Sequence, residues 1–156
     1  MRLYFLRHAE ASYEAPSDHE RPLTDRGRDR TKTAARVLAK LDIKPAHIYA
    51  SPRVRAADTA RIVGEALKIE VELREEVNFD FDVAAVKKLV QGLSERDEIM
   101  FVGHNPTMSE VVRALTGASV SLKKGGLARV DVLSPDSLQG ELVWLIAPVV
   151  FDALDA

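Results

Sequence analysis

Residues 46–67 read AHIYASPRVRAADTARIVGEAL, and they decide the fold. The first five are an apolar run of strand length. Ser51 and Pro52 then place a hydroxyl residue ahead of proline, a pairing favoured where a helix begins. From 53 to 67 the residues Ala56, Ala60, Val63 and Leu67 fall on one helical face. A strand that passes straight into a helix is the building unit of an α/β sheet.

The unit recurs on both sides. Further strand candidates are 2–6 (RLYFL), 98–102 (EIMFV), 127–133 (LARVDVL) and 141–147 (ELVWLIA), with a weaker one near 69–73. Helical periodicity marks 26–41 through Ala34, Val37, Leu38 and Leu41. It marks 82–93 through Val83, Val86, Val90 and Leu93, and 106–116 through Met108, Val111, Val112 and Leu115. The alternation predicts a three-layer α/β/α sandwich around a mostly parallel sheet, built as a single domain over residues 1–156. Only SPDSLQG separates the last two strand candidates, which predicts a hairpin at the sheet edge. The tail PVVFDALDA, with Val149, Val150, Phe151 and Leu154, is expected to pack against the domain.

Composition narrows the function. A net charge of −2 gives no field to recruit nucleic acid or an anionic membrane. No apolar run approaches the ~18 residues of a membrane span, and no signal-peptide core follows the N-terminus. The chain has no cysteine, which removes disulfides, thiolate catalysis and cysteine-held zinc from consideration and suits a cytoplasmic setting.

The unusual residues gather at strand ends. Leu3–Leu6 run into Arg7 and His8; Ser51-Pro52 and Asn105-Pro106 each open a helix directly after a strand. Open α/β sheets bind ligands beyond the carboxyl ends of their strands. Arg7, His8, Arg53, Arg55 and His104 are therefore delivered to one sheet edge, where two helix N-termini add orphan N–H groups. That ensemble suits a phosphate. A metal pair of His8 and His104 has no evident third ligand, and the arginines would repel a cation.

LRHAE at 6–10, PLTDRG at 22–27, SPRVRAADTA at 51–60 and VGHNP at 102–106 resemble, in that order, the motifs of the histidine phosphatase superfamily. The resemblance implies a phosphoglycerate mutase-like fold and a cofactor-free, metal-independent phosphoryl transfer. It assigns His8 as nucleophile, Arg7 and Arg55 as phosphate clamp and His104 as donor to the transferring group. Arg53, two residues along the helix from Arg55, is expected to face another way. With 48 residues between Arg55 and His104, the chain looks most like the SixA-type phosphohistidine phosphatases. The run Arg21-Pro22-Leu23-Thr24 is similar to the SixA pattern as well. The substrate this implies is a phosphohistidine-carrying protein. A phosphatase for a small phosphorylated metabolite and a phosphate-binding module without turnover are the alternatives. Ser12, Asp18 and Arg21, in the long loop at 12–24, are candidate substrate-binding residues. Glu76, beside Glu75, is the candidate general acid. Ala9 departs from the pattern, standing where relatives carry glycine; a backbone with φ > 0 there would be strained by alanine.

Overall fold

A computed structural model describes residues 1–155. Six strands form one sheet: β1 (Arg2–Arg7), β2 (His47–Ala50), β3 (Val71–Leu73), β4 (Glu98–Gly103), β5 (Leu127–Ser134) and β6 (Ser137–Ile146). Five helices, α1 (Asp25–Lys40), α2 (Val54–Leu67), α3 (Val83–Val90), α4 (Thr107–Thr116) and α5 (Pro148–Leu154), flank it. The strand order is β3-β2-β4-β1-β5-β6. β1 to β4 pair in parallel, while β5 and β6 close the sheet antiparallel. This is the α/β sandwich that the strand–helix alternation predicts.

The central strands are apolar without a break because both their faces are covered. In β1, Leu3 and Phe5 join one core with α3 and α4, while Tyr4 and Leu6 join the other with α1, α2 and α5. β4 divides likewise, Ile99 and Phe101 against Met100 and Val102. The period-2 alternation of a strand sends each pair to opposite sides. Phe5 stacks on Phe101 at 5.4 Å between ring centroids, locking the register of the two strands that carry the site.

Three expectations need correction. Ser51 does not cap α2: the helix starts at Val54, and Arg53 holds the cap position without a side-chain bond. β6 begins at Ser137, so Ser134 pairs with Ser137 and the edge hairpin tightens to Pro135-Asp136. Of the tail's described apolar residues only Phe151 is buried; Val149, Val150 and Leu154 remain exposed. One anchor suffices for so short a helix, which is also tied down by ion pairs from Arg30 to Asp152 and Arg36 to Asp155.

Candidate active site

The parallel register levels three strand ends. Arg7 of β1 lies beside Gly103 of β4, and Ala50 of β2 beside Val102. The next residue of each chain segment is His8, His104 and Ser51, so these three meet at one edge. Main-chain bonds fix them: the His8 N–H donates to the Gly103 carbonyl at 2.9 Å, and the Ser51 N–H to the Val102 carbonyl at 2.9 Å. The Gly125 N–H donates to the carbonyls of both Arg7 and His8, each at 3.0 Å.

His8 and His104 are both buried, their ring centroids 5.3 Å apart. His8 Nδ1 lies 2.7 Å from the Ala9 carbonyl, which only a ring N–H can satisfy. That contact assigns the proton to Nδ1 and leaves the lone pair on Nε2. Burial, then Arg55, Arg7 and Lys124, pushes His8 down to about 4. His104 is pushed down to about 3 by burial, His8 and the arginines. Both rings are therefore neutral at neutral pH. His104 Nε2 lies 2.8 Å from the Ser51 hydroxyl, while its Nδ1 is buried with no partner.

Arg7 Nε and Arg55 Nε are buried and unpartnered too. Each arginine is anchored through Nη1: that of Arg7 donates to the Leu122 carbonyl at 3.1 Å, that of Arg55 to the Asp18 carbonyl at 2.8 Å. A buried donor left unmade costs about 1–3 kcal/mol. With His104 Nδ1, three such nitrogens fall on residues gathered at one strand edge, where an anion can satisfy them. Among the described residues no group of three His, Cys, Asp or Glu is placed to hold a metal ion.

The segment 12–24 straps across the start of α2. The His19 carbonyl accepts from the Val54 N–H at 3.0 Å, and Asp18 reaches the arginines. Asp18 Oδ2 lies 2.6 Å from Arg53 Nη1 and 3.3 Å from Arg55 Nη2; Oδ1 lies 3.2 Å from Arg21 Nη1. Although partial burial favours the acid form, the bonds to Arg21 and Arg55 hold Asp18 below the usual carboxylate range. Arg21 and Ser12 act within the strap. Arg21 Nε donates to the Ser12 carbonyl at 3.0 Å, and the Ser12 hydroxyl accepts from the Glu14 N–H at 3.1 Å. The PLTDRG motif anchors the strap's far end. Thr24 caps α1 by accepting from the Gly27 N–H at 3.0 Å and donates to Glu10 Oε1 at 2.8 Å. A Cβ on Gly27 would collide with the Glu10 carbonyl.

Arg53 also differs from expectation. Because it precedes the helix, with φ −61° and ψ 136°, helical spacing does not turn it away, and it shares Asp18 Oδ2 with Arg55. Glu76, the candidate general acid, is held by cations. It is ion-paired with Arg74 at 3.2 Å and Lys88 at 3.0 Å, and these partners, Arg74 first, hold it ionised down to about 2. Glu75 accepts from Asn78 Nδ2 at 2.8 Å, and Asn78 Oδ1 accepts from Arg53 Nε at 2.8 Å. Ala9 needs no glycine conformation, since Asp42 and Lys68 alone among described non-glycine residues have positive φ. Its N–H donates to Thr59 Oγ1 at 3.1 Å, and Thr59 in turn donates to the Arg55 carbonyl at 2.7 Å. That link gives the threonine of SPRVRAADTA a role that spacing alone did not show. Sequence reasoning also missed Ser51 as the partner of His104, and Phe79, whose ring centroid lies 4.8 Å from that of His104.

The family signature of the histidine phosphatase superfamily (branch 1) matches residues 3–78. The chain is 26% identical over 152 residues to the phosphohistidine phosphatase SixA of Escherichia coli (strain K12), covering 95% of this chain and 94% of that protein. It is 30% identical over 151 residues to an uncharacterised protein of Picosynechococcus sp., covering 81% and 82%. The structure of the protein histidine phosphatase SixA complexed with tungstate superposes with a TM-score of 0.87 at 25% identity, covering 96% of this chain and 99% of that one. The chain belongs to the histidine phosphatase superfamily, and it is a phosphatase. No helix of the described residues is long and apolar enough to cross a membrane.

Proposed function

We propose that this phosphatase removes the phosphoryl group from a phosphorylated histidine of a partner protein, through a phospho-His8 intermediate. His8 Nε2 attacks phosphorus as the free lone pair of a neutral ring. Arg7 and Arg55 hold the equatorial oxygens with charge-assisted bonds that lysine cannot reproduce. His104, its Nε2 engaged by Ser51, donates from Nδ1 to the transferring group. As the His8–phosphorus bond forms, the substrate's phosphorus–nitrogen bond breaks with its electron pair on nitrogen. The other nitrogen of that ring, a bare acceptor in the neutral phosphoimidazole, takes up a proton from solvent, so the ring departs as neutral imidazole. Water then cleaves phospho-His8, releasing inorganic phosphate and restoring the neutral ring.

The observation that carries this reading is the state of the carboxylates. Glu76 stays ionised down to about 2 between Arg74 and Lys88, and Asp18 is held ionised by arginines. An alkoxide leaving group needs a proton delivered to the departing oxygen, whereas a phosphorylated imidazole can take one from solvent on the ring nitrogen remote from phosphorus. The likeness to SixA over 95% of the chain supports the same substrate class, and the cysteine-free chain suits a cytoplasmic one.

The test compares phosphate release from a phosphorylated histidine-phosphotransfer domain with release from a panel of sugar phosphates, all in EDTA. The phosphoprotein should be preferred, and His8→Ala should abolish turnover. His104→Ala should cost roughly 10²–10³ in rate, as removal of one transition-state donor does. A preference for a sugar phosphate would assign the site to a metabolite; loss of wild-type activity in EDTA would refute the metal-free route.

A further inference from the structure

Phe79 is 46% exposed. Its neighbours belong to the site. The ring stands at 70° to His104, its centroid 4.8 Å from that of His104. The Arg53 guanidinium carbon lies 3.8 Å from the ring centroid and that of Arg55 5.8 Å. Arg53 is itself pinned by Asn78 Oδ1 at 2.8 Å and by Asp18. One face of Phe79 is thus filled by a fixed cation, while close to half of its surface stays open beside the buried histidines.

We propose that Phe79 reads the leaving group, its open surface stacking against the heteroaromatic ring that departs from phosphorus. This inference rests on the phosphohistidine reading and names the residue that makes it selective. A phosphoryl group bonded to His104 Nδ1 and Arg55 Nε lies next to Phe79, because both residues border its ring. In-line attack sends the leaving atom away from His8. His8 and His104 are buried and Phe79 is not, so the departing group emerges on the solvent side, where the ring stands. An imidazole there gains an aromatic partner; an aliphatic leaving group gains none.

Two small substrates isolate the effect. Phosphoimidazole and phosphoramidate both present a phosphorus–nitrogen bond, and only the first carries a ring. Steady-state kcat/KM is measured on both for the wild type, Phe79→Leu and Phe79→Trp. Phe79→Leu should lower kcat/KM for phosphoimidazole roughly threefold to tenfold, the size of one aromatic pair, and leave phosphoramidate within about twofold. Phe79→Trp should keep the wild-type preference. Equal falls on both substrates would mean that the ring only holds His104 and Arg53 in place, and would overturn the proposal; so would no change on either. A wild-type enzyme inert on phosphoimidazole would sink the phosphohistidine reading and this inference together. Normal wild-type turnover with equal losses in Phe79→Leu sinks the inference alone.

Discussion

Lowering the pH should destabilise this protein through the two histidines of its site. Burial and neighbouring cations depress His8 from 6.5 to about 4 and His104 to about 3. The sign follows from proton counting. The unfolded chain takes up a proton at each ring near 6.5, and the folded chain takes up neither until far lower pH. Stability from these rings is therefore fully present above 6.5 and is lost as the pH falls towards 4. Each missing proton costs about 1.4 kcal/mol per pH unit, so at pH 5 each histidine removes on the order of 2 kcal/mol. Together that is a large share of the roughly 5–15 kcal/mol that holds a domain folded.

Urea unfolding between pH 8 and 5 measures this, in buffers free of phosphate and sulfate, because a bound anion would stabilise the folded chain by mass action. With a slope of about 2 kcal/mol per molar urea, the midpoint should fall by about 2 M across that range. His8→Gln cannot take up the proton, so its midpoint should fall about half as far, whatever its stability at pH 8. If the wild type and His8→Gln lose stability in parallel, His8 is not depressed. The neutral ring that the proposed attack by His8 requires would then need another explanation.

Other substitutions test single contacts. Glu76→Gln should leave kcat/KM within about twofold and cost less than about 1 kcal/mol by urea unfolding, the ordinary yield of a partly exposed ion pair. Asp18→Asn removes a carboxylate 3.3 Å from Arg55 while the Asp18 carbonyl still anchors that arginine. Phosphate should then inhibit roughly twofold to fivefold more tightly, less so at high salt, as the inhibition constant will show. Ala9→Gly should cost about 1 kcal/mol in thermal unfolding through a freer unfolded chain and a lost buried methyl, with activity within about twofold. A large gain in activity from that change would mean that the alanine does strain the site.

Legibility in the sequence tracked burial. β1, β2 and β4 are covered on both faces, so their apolar runs stand out, and His8 and His104 are legible because each follows such a run, whereas Ser51 at the end of β2 read only as a helix cap. β3 is three residues long with Glu72 and Leu73 exposed, and β6 begins among polar residues at the sheet edge. Neither leaves a pattern sharp enough to bound. The strap at 12–24 has no periodicity, and its course depends on long-range bonds such as Arg55 to the Asp18 carbonyl. Its length signalled function, but nothing in the sequence says that Asp18 lands on the clamp while Ser12 turns away. Phe79 and Phe81 show the limit most plainly. They sit two residues apart in NFDFD; Phe81 is 2% exposed in the core beside Phe5, and Phe79 is 46% exposed beside His104.

The clamp has a cost that clarifies why the strap is there. Arg7 Nε, Arg55 Nε and His104 Nδ1 are buried nitrogens without partners among the described residues, and each unmade arginine donor costs about 1–3 kcal/mol. Two of them carry full positive charge, and His8 and His104 stay neutral partly because adding charge beside the arginines is unfavourable. Asp18 offsets some of this repulsion from a half-exposed position, through Arg55 Nη2, which leaves Arg55 Nε open. A carboxylate seated deeper would satisfy those donors and would also compete with phosphate for them. Its place at the rim, bound to Arg21, Arg53 and Arg55 at once, leaves the inner donors open to the phosphoryl group of the proposed reaction.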